Sequence, residues 1–127
     1  MEKNVNVINW FEIPVTDFPR AKKFYETILD ISMGEQKMGP ITMGFFPYET
    51  GSGKLSGAIV NGEGYKPSQD GVLVYLNCNP DLTDALNKIE KAGGKMLLSK
   101  TEIGPGLGFR ASFIDTEGNK VALHSQH

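Results

Sequence analysis

One acidic side chain near the start of the chain could do acid–base chemistry. Residues Val5–Val15 are rich in β-branched and aromatic types, and their alternation predicts a strand that places Glu12 on the face opposite to the apolar one. A carboxylate on an inward strand face is costly unless it is solvated, paired or functional. We therefore predict that Glu12 is a general base with a pKa raised by burial, a partner of Arg110 or Lys120, or a residue exposed at a pocket mouth.

The other reactive side chains offer weaker signals. Cys78 stands beside Asn79-Pro80 near a predicted helix start, where a thiolate would be favoured, but no histidine is near it in sequence, so we expect a structural thiol. His124 and His127 close the chain and are expected to form a solvated terminus. The glycine-rich stretch 104–108 lies between two predicted strands rather than before a helix, which favours a turn or a mobile lid over a phosphate cradle.

Two copies of one pattern must position these residues. The first copy reads as a strand, a helix capped by Asp17 and packed through one apolar stripe, and three strands. The second copy repeats that order. The predicted elements of the two copies after the first strand and helix are Ile31–Lys37, Thr42–Phe46, Leu55–Val60, Gly71–Cys78, a helix from Pro80-Asp81 to Gly93-Gly94, Lys95–Lys100, Phe109–Ile114 and Lys120–Ser125.

This duplicated β-α-β-β-β order defines the domain organisation. We predict a single domain over residues 1–127, with repeat one at about 5–61, a polar linker at about 62–70 and repeat two at about 71–126. The class is α+β. Order alone does not separate a paired βαβββ fold from a ferredoxin-like arrangement, because both place helices on one face of a largely antiparallel sheet.

Composition narrows the partners. The chain has 127 residues, a net charge of −2 and one cysteine, which is ordinary for a reduced, cytoplasmic globular domain. Lysine and arginine form no stripe, so nucleic acid and anionic membranes are not expected partners. The chain has no apolar run of membrane-spanning length, and its first residues are not those of a signal peptide.

Three stretches resemble the vicinal oxygen chelate superfamily, the group of glyoxalases, bleomycin resistance proteins and dioxygenases. They are the opening strand and helix, Asn9–Asp17 with Arg20–Tyr25 and Ile28-Leu29; the second helix with its Gly-Gly exit, Ala85–Lys95; and the closing turn and strand, Phe113–Leu123. Together they cover nearly the whole chain. The resemblance implies two βαβββ repeats that form curved mixed sheets with helices on the outer face.

The resemblance also implies a place for a metal, and this sequence departs from it. Many members hold a divalent ion with His or Glu side chains from the first strand and from later strands. Those positions fall on Trp10 and Ala122, which carry no ligating atom. Neither Lys54–Val60 nor Gly71–Cys78 contains His, Asp or Glu. We therefore expect no metal and no other cofactor.

The resemblance and the strand alternation together predict the residues of a pocket. Glu12 is the candidate catalytic residue. The candidate ligand-binding residues are Trp10, Glu12, Met43, Phe45, Tyr75, Asn77, Arg110, Ala122 and His124.

Three functions are compatible with these residues. The first is metal-independent binding of a small organic molecule, like the resistance proteins of the family. The second is an enzyme, a glyoxalase-like lyase or isomerase or an unusual dioxygenase, with Glu12 as base. The third is a regulatory or partner-binding module without catalysis, since fold does not settle function. The resemblance also implies a homodimer.

Overall fold

The computed structural model describes residues 6–49 and 54–127, and their elements follow the predicted order. The strands and helices in chain order are β1 Trp10–Pro14, α1 Phe18–Leu29, β2 Gly34–Met38, β3 Ile41–Phe45, β4 Ser56–Asn61, β5 Tyr75–Asn77, α2 Thr83–Lys88, β6 Lys95–Gly104, β7 Gly108–Ile114 and β8 Lys120–Ser125. No helix in this described part is long and apolar enough to cross a bilayer.

The strands form two four-stranded mixed sheets of matching topology. The first sheet has the order β1-β4-β3-β2 and the second has the order β5-β8-β7-β6. In each sheet the opening strand pairs in parallel with the closing strand of its own repeat, and the remaining pairs are antiparallel. The predicted duplication and the α+β class are therefore confirmed, and the two separate sheets decide against the ferredoxin-like alternative.

The first helix begins and ends where its sequence indicates. The side chain of Asp17 accepts a hydrogen bond from the backbone N–H of Arg20 over 3.1 Å, as an N-cap does. Asp30 ends the helix in the left-handed region with φ of 53°. The apolar stripe is buried, and its members are Phe18, Ala21, Phe24, Tyr25 and Ile28.

The second repeat departs from prediction in two elements. The strand expected over Gly71–Cys78 is only Tyr75–Asn77. Gly71 has φ of 100°, outside the extended region, and Val72 is 93% exposed, so the first half of the apolar run is a loop. The helix expected to reach Gly93 spans only Thr83–Lys88, because the N–H of residue 89 bonds three residues back and the chain continues as turns.

Both repeats contribute to one hydrophobic core on the helix side of the sheets. Ile13 and Val15 of the first repeat belong to the same buried cluster as Leu82 and Leu123 of the second. The ring of Phe24 on α1 lies 5.7 Å from that of Phe113 on β7, centroid to centroid. The face of each sheet that points away from this core and from the helices, called here the helix-free face, remains available for other contacts.

Candidate functional site

The helix-free face of the first sheet carries four of the predicted site residues. Cα pairing places Trp10 beside Ser56 and Glu12 beside Ala58, and Ala58 in turn pairs with Phe45 on β3. Residues paired across strands project to the same face. The predicted residues that share this face are Trp10, Glu12, Met43 and Phe45.

An aromatic surface covers part of this face. The Trp10 ring lies 6.0 Å from that of Phe45 and 6.2 Å from that of Tyr48, both within the range of favourable ring pairs. Trp10 is 37% exposed, so part of its ring is open to a partner. The Trp10 ring is tilted by 57° against Phe45 and by 71° against Tyr48, so the surface available for stacking is the exposed part of the indole itself.

Glu12 lies at the edge of this surface with both carboxylate oxygens in hydrogen bonds. Tyr65 donates its hydroxyl to Oε1 over 3.0 Å, and the indole N–H of Trp10 donates to Oε2 over 3.3 Å. The hydrogen bond to Glu12 raises the pKa of Tyr65. Glu12 is exposed, which is one of the three alternatives predicted for it, and its hydrogen bonds come from these two side chains rather than from Arg110 or Lys120.

Tyr65 is a site residue that sequence reasoning missed. It belongs to the linker, and it packs against the small cluster of Met43, Ala58 and Val60 on the helix-free face. The available signal was a single aromatic residue in an otherwise polar stretch.

The helix-free face of the second sheet carries the remaining predicted residues. Tyr75 pairs with Ala122 and Asn77 pairs with His124 across β5 and β8, and Arg110 pairs with His124 across β7 and β8. Arg110 donates to the Tyr75 hydroxyl over 3.5 Å. Each sheet therefore gathers its own subset of the predicted residues.

Some polar side chains of this second face already form hydrogen bonds within the protein. His124 lies with Nε2 2.8 Å from the carbonyl oxygen of Leu107, and it is half-buried rather than solvated as expected. Asn77 accepts the backbone N–H of Asn79 on its side-chain oxygen. Burial raises the pKa of the Cys78 thiol to about 11, which fits the structural role expected for it.

Predicted site residues line more than one cavity. A cavity of about 300 Å³ lies on the helix-free face of the second sheet and includes Tyr75 and Arg110. A smaller one of about 160 Å³ includes Glu12 and Lys120. A third cavity, of about 790 Å³, opens near the end of α1 and the start of α2 and includes the predicted site residues Tyr75 and Asn77.

The residues present do not fit the metal site of the family. Trp10 and Ala122 occupy the expected ligand positions, and their side chains have no atom that can bind an ion. Glu12 is engaged by two donors and His124 by a carbonyl oxygen. Within residues 6–49 and 54–127, no three His, Cys, Asp or Glu side chains gather closely enough to hold an ion.

The chain resembles known proteins over most of its length. The sequence profile of the Glyoxalase/Bleomycin resistance protein/Dioxygenase superfamily matches residues 7–123. A glyoxylase-like domain-containing protein from Didymella fabae is 31% identical over 119 residues, which cover 91% of each chain.

Solved structures share the fold at low identity. A mutant form of glyoxalase I from Zea mays superposes with a TM-score of 0.68 at 22% identity over 93% of this chain, which spans only 45% of the maize chain. TnmS3, an antibiotic binding protein from Streptomyces, superposes with a TM-score of 0.64 at 18% identity over 99% of this chain and 100% of its own. With its two βαβββ repeats and this profile match, the chain belongs to the glyoxalase/bleomycin resistance protein/dioxygenase superfamily.

Proposed function

We propose that this protein binds a small organic molecule on its helix-free faces without the help of a metal ion. The observation that carries the proposal is which residues stand at the two ligand positions that the family resemblance implies. They are Trp10 and Ala122, in place of ion-binding side chains. The fold similarity to an antibiotic binding protein supports the same function.

The chemistry of the first helix-free face suits such a ligand. Small-molecule sites are mostly apolar and aromatic, with a few placed polar groups that orient the ligand. Trp10, Phe45 and Tyr48 supply the rings, and Glu12 supplies an oriented acceptor. The Trp10 ring is already held by its neighbours. A ligand that stacks on its exposed part therefore costs little further side-chain entropy.

Ligand binding can be tested at Trp10 itself. Trp10 is the single tryptophan of the chain, so its fluorescence reports on this face alone. We expect members of a small-molecule panel to shift both its emission and the melting temperature, with unchanged affinity after treatment with EDTA. Trp10→Ala should weaken binding, measured by calorimetry, about tenfold or more, as removal of an aromatic anchor does.

Two variants serve as controls for this test. Trp10→Phe keeps an aromatic surface and should retain most of the affinity, and Lys23→Ala, at an exposed position on α1, should bind like wild type. Equal affinity in wild type and Trp10→Ala would place the ligand elsewhere. A stoichiometric divalent metal in the purified protein would defeat the metal-independent proposal.

An enzyme with Glu12 as base is the alternative proposal, supported by the two hydrogen bonds that hold its carboxylate in one orientation. Its sign would be turnover of a methylglyoxal–glutathione adduct that is lost in Glu12→Gln. We further propose, from family resemblance, that the protein is a cytoplasmic homodimer. Light scattering coupled to size exclusion would check the dimer, and a mass of 13.9 kDa would contradict it.

A further inference from the structure

Two cations flank the cavity of about 300 Å³ on the helix-free face of the second sheet. Arg110 and Lys120 both line it. Neither Arg110 nor Lys120 has a carboxylate within 4.0 Å among the residues that the structure describes. A cavity edged by two charges without counterions attracts anions.

The positions of these cations follow from the strand register. Arg110 pairs with His124, while Lys120 pairs with Ile114 at the other end of the same two strands. Between them lies the pair Ser112 and Ala122, two small and buried side chains. The longer side chains of Arg110 and Lys120 can therefore approach one ligand from opposite ends.

The guanidinium of Arg110 suits recognition of a carboxylate or a phosphate. Its guanidinium donates to the Tyr75 hydroxyl over 3.5 Å, which leaves further N–H groups available. A guanidinium matches a carboxylate or phosphate with two parallel hydrogen bonds, which a neutral amide cannot accept equally well.

Leucines form part of the remaining wall of this cavity. Leu73, Leu97 and Leu98 line it, and Leu97 is 47% exposed. Two adjacent residues of one strand reach the same cavity because the pairing of β6 with β7 shifts register between Met96 and Leu98. One exposed leucine and two half-buried ones beside charged groups suit a ligand that has an apolar body and a charged end.

We propose that this cavity binds a small organic anion, a carboxylate or phosphate carried on an apolar body, with Arg110 and Lys120 as the groups that select the charge. This inference rests on the proposed function and names the ligand class for the second helix-free face. Lys120 also lines the smaller cavity, where Glu12 and Asp70 are the acidic groups that face it. These two carboxylates can therefore compete with an anionic ligand for Lys120, but not for Arg110.

The test compares probes that differ only in charge. The anion 2-naphthoate, the phosphate analogue 2-naphthyl phosphate and the neutral 2-naphthamide are titrated into the wild-type protein by calorimetry at low and moderate salt. We expect at least one anion to bind about tenfold or more tightly than the amide, with an affinity that falls as salt rises. The stronger of the two anions identifies the preferred headgroup.

Variants assign the effect to the cations. Arg110→Gln and Lys120→Gln should each weaken anion binding about tenfold while binding of 2-naphthamide stays unchanged, and Arg110→Lys should restore part of the loss. Lys91→Gln makes the same charge change at an exposed position after α2 and should have no effect. Melting temperatures of all variants confirm that they are folded.

Three results would overturn the proposal: the amide binds as well as the anions, neither anion binds, or the anions bind equally to wild type and to both glutamine variants. Failure of the proposed function is distinguishable from these, because it would show as a panel without any ligand that depends on Trp10.

Discussion

At the scale of single residues, Glu117 carries the densest set of interactions in the described structure. Its carboxylate accepts the backbone N–H groups of Thr16 and Asp17 over 2.9 and 2.6 Å, and Nε of Arg20 over 2.7 Å. Its side chain has no accessible surface. Glu117 lies in the last turn of the second repeat, so these bonds fasten that turn to the first turn of α1.

The ionisation of Glu117 should make stability depend on pH. Burial opposes the charge, but the hydrogen bonds from Arg20 and from the backbone of Asp17 outweigh it and lower the pKa of Glu117 from 4.5 to about 2. The unfolded chain therefore binds this proton more tightly than the folded chain does. The stabilisation is complete at pH values above the pKa of the unfolded state and is lost as the pH falls toward about 2.

Substitution of Glu117 tests this effect. We expect Glu117→Gln to lower the free energy of unfolding at pH 7 by about 2–3 kcal/mol, since it removes charged hydrogen bonds from a buried position. In urea titrations, the difference in the free energy of unfolding between wild type and variant should become smaller toward acid pH. Glu90→Gln, at an exposed position, is the matched control. A difference in the free energy of unfolding that is the same at neutral and acid pH would contradict the role given to the Glu117 carboxylate.

At the scale of elements, the glycine-rich stretch 104–108 is the hairpin turn between β6 and β7. Gly106 and Gly108 both have positive φ, 74° and 81°. A Cβ on Gly106 would meet nothing within 4 Å, whereas one on Gly108 would collide with the backbone carbonyl oxygen of Ser125. The close approach of the turn to β8 therefore requires glycine at position 108.

This pair of glycines gives a matched comparison. Gly106→Ala should cost about 1–2 kcal/mol, the strain of a left-handed conformation in a residue with a Cβ. Gly108→Ala should cost about 2 kcal/mol more, because overpacking adds to the same strain. Thermal and urea unfolding of the two variants measure the difference. Equal destabilisation would mean that the turn moves away from β8 freely.

At the scale of the whole molecule, contacts join the two repeats. They share a single core cluster, and Asn119 of the closing turn donates to the carbonyl of Pro14 over 2.6 Å and accepts from the N–H of Ser68 over 3.0 Å. Tyr25 of the first repeat donates to Asp115 of the second over 2.6 Å within the core. Neither repeat buries its apolar face without the other.

A core substitution in one repeat should therefore weaken both. Phe24→Ala on α1 removes a ring that contacts Phe113, and we expect a loss of about 3–5 kcal/mol in the free energy of unfolding. Unfolding should remain one transition, with tryptophan fluorescence from the first sheet and far-ultraviolet dichroism from the whole chain changing together. Two separated transitions would show that the repeats fold independently.

Much of the architecture could be predicted because it depends on local periodicity. The alternation along residues 10–15 correctly placed Ile13 and Val15 in the core and Glu12 on the other face. The Asp17 cap and the buried stripe of α1 were also predicted correctly. Prediction was less accurate for Gly71–Cys78, because an apolar run does not reveal that Gly71 adopts a positive φ.

The candidate site was predicted less completely, because its contacts join distant parts of the chain. The sequence left open whether Glu12 is buried, paired or exposed, because its exposure depends on what covers the sheet, and its partner Tyr65 comes from a linker without periodicity. The adjacent leucines at 97 and 98 reach one cavity through a register shift that the alternation of residue types does not show.

The sequence by itself determined the duplicated order of elements, the buried face of α1 and the presence at positions 10 and 122 of side chains that cannot bind an ion, since each is a property of residue type or short spacing. Only the tertiary structure decided that Glu117 holds the start of α1, that Tyr65 binds Glu12, and that Arg110 and Lys120 share a cavity. These are contacts between separate segments, and they exist only once strand pairing and the shared core have set the two sheets in place.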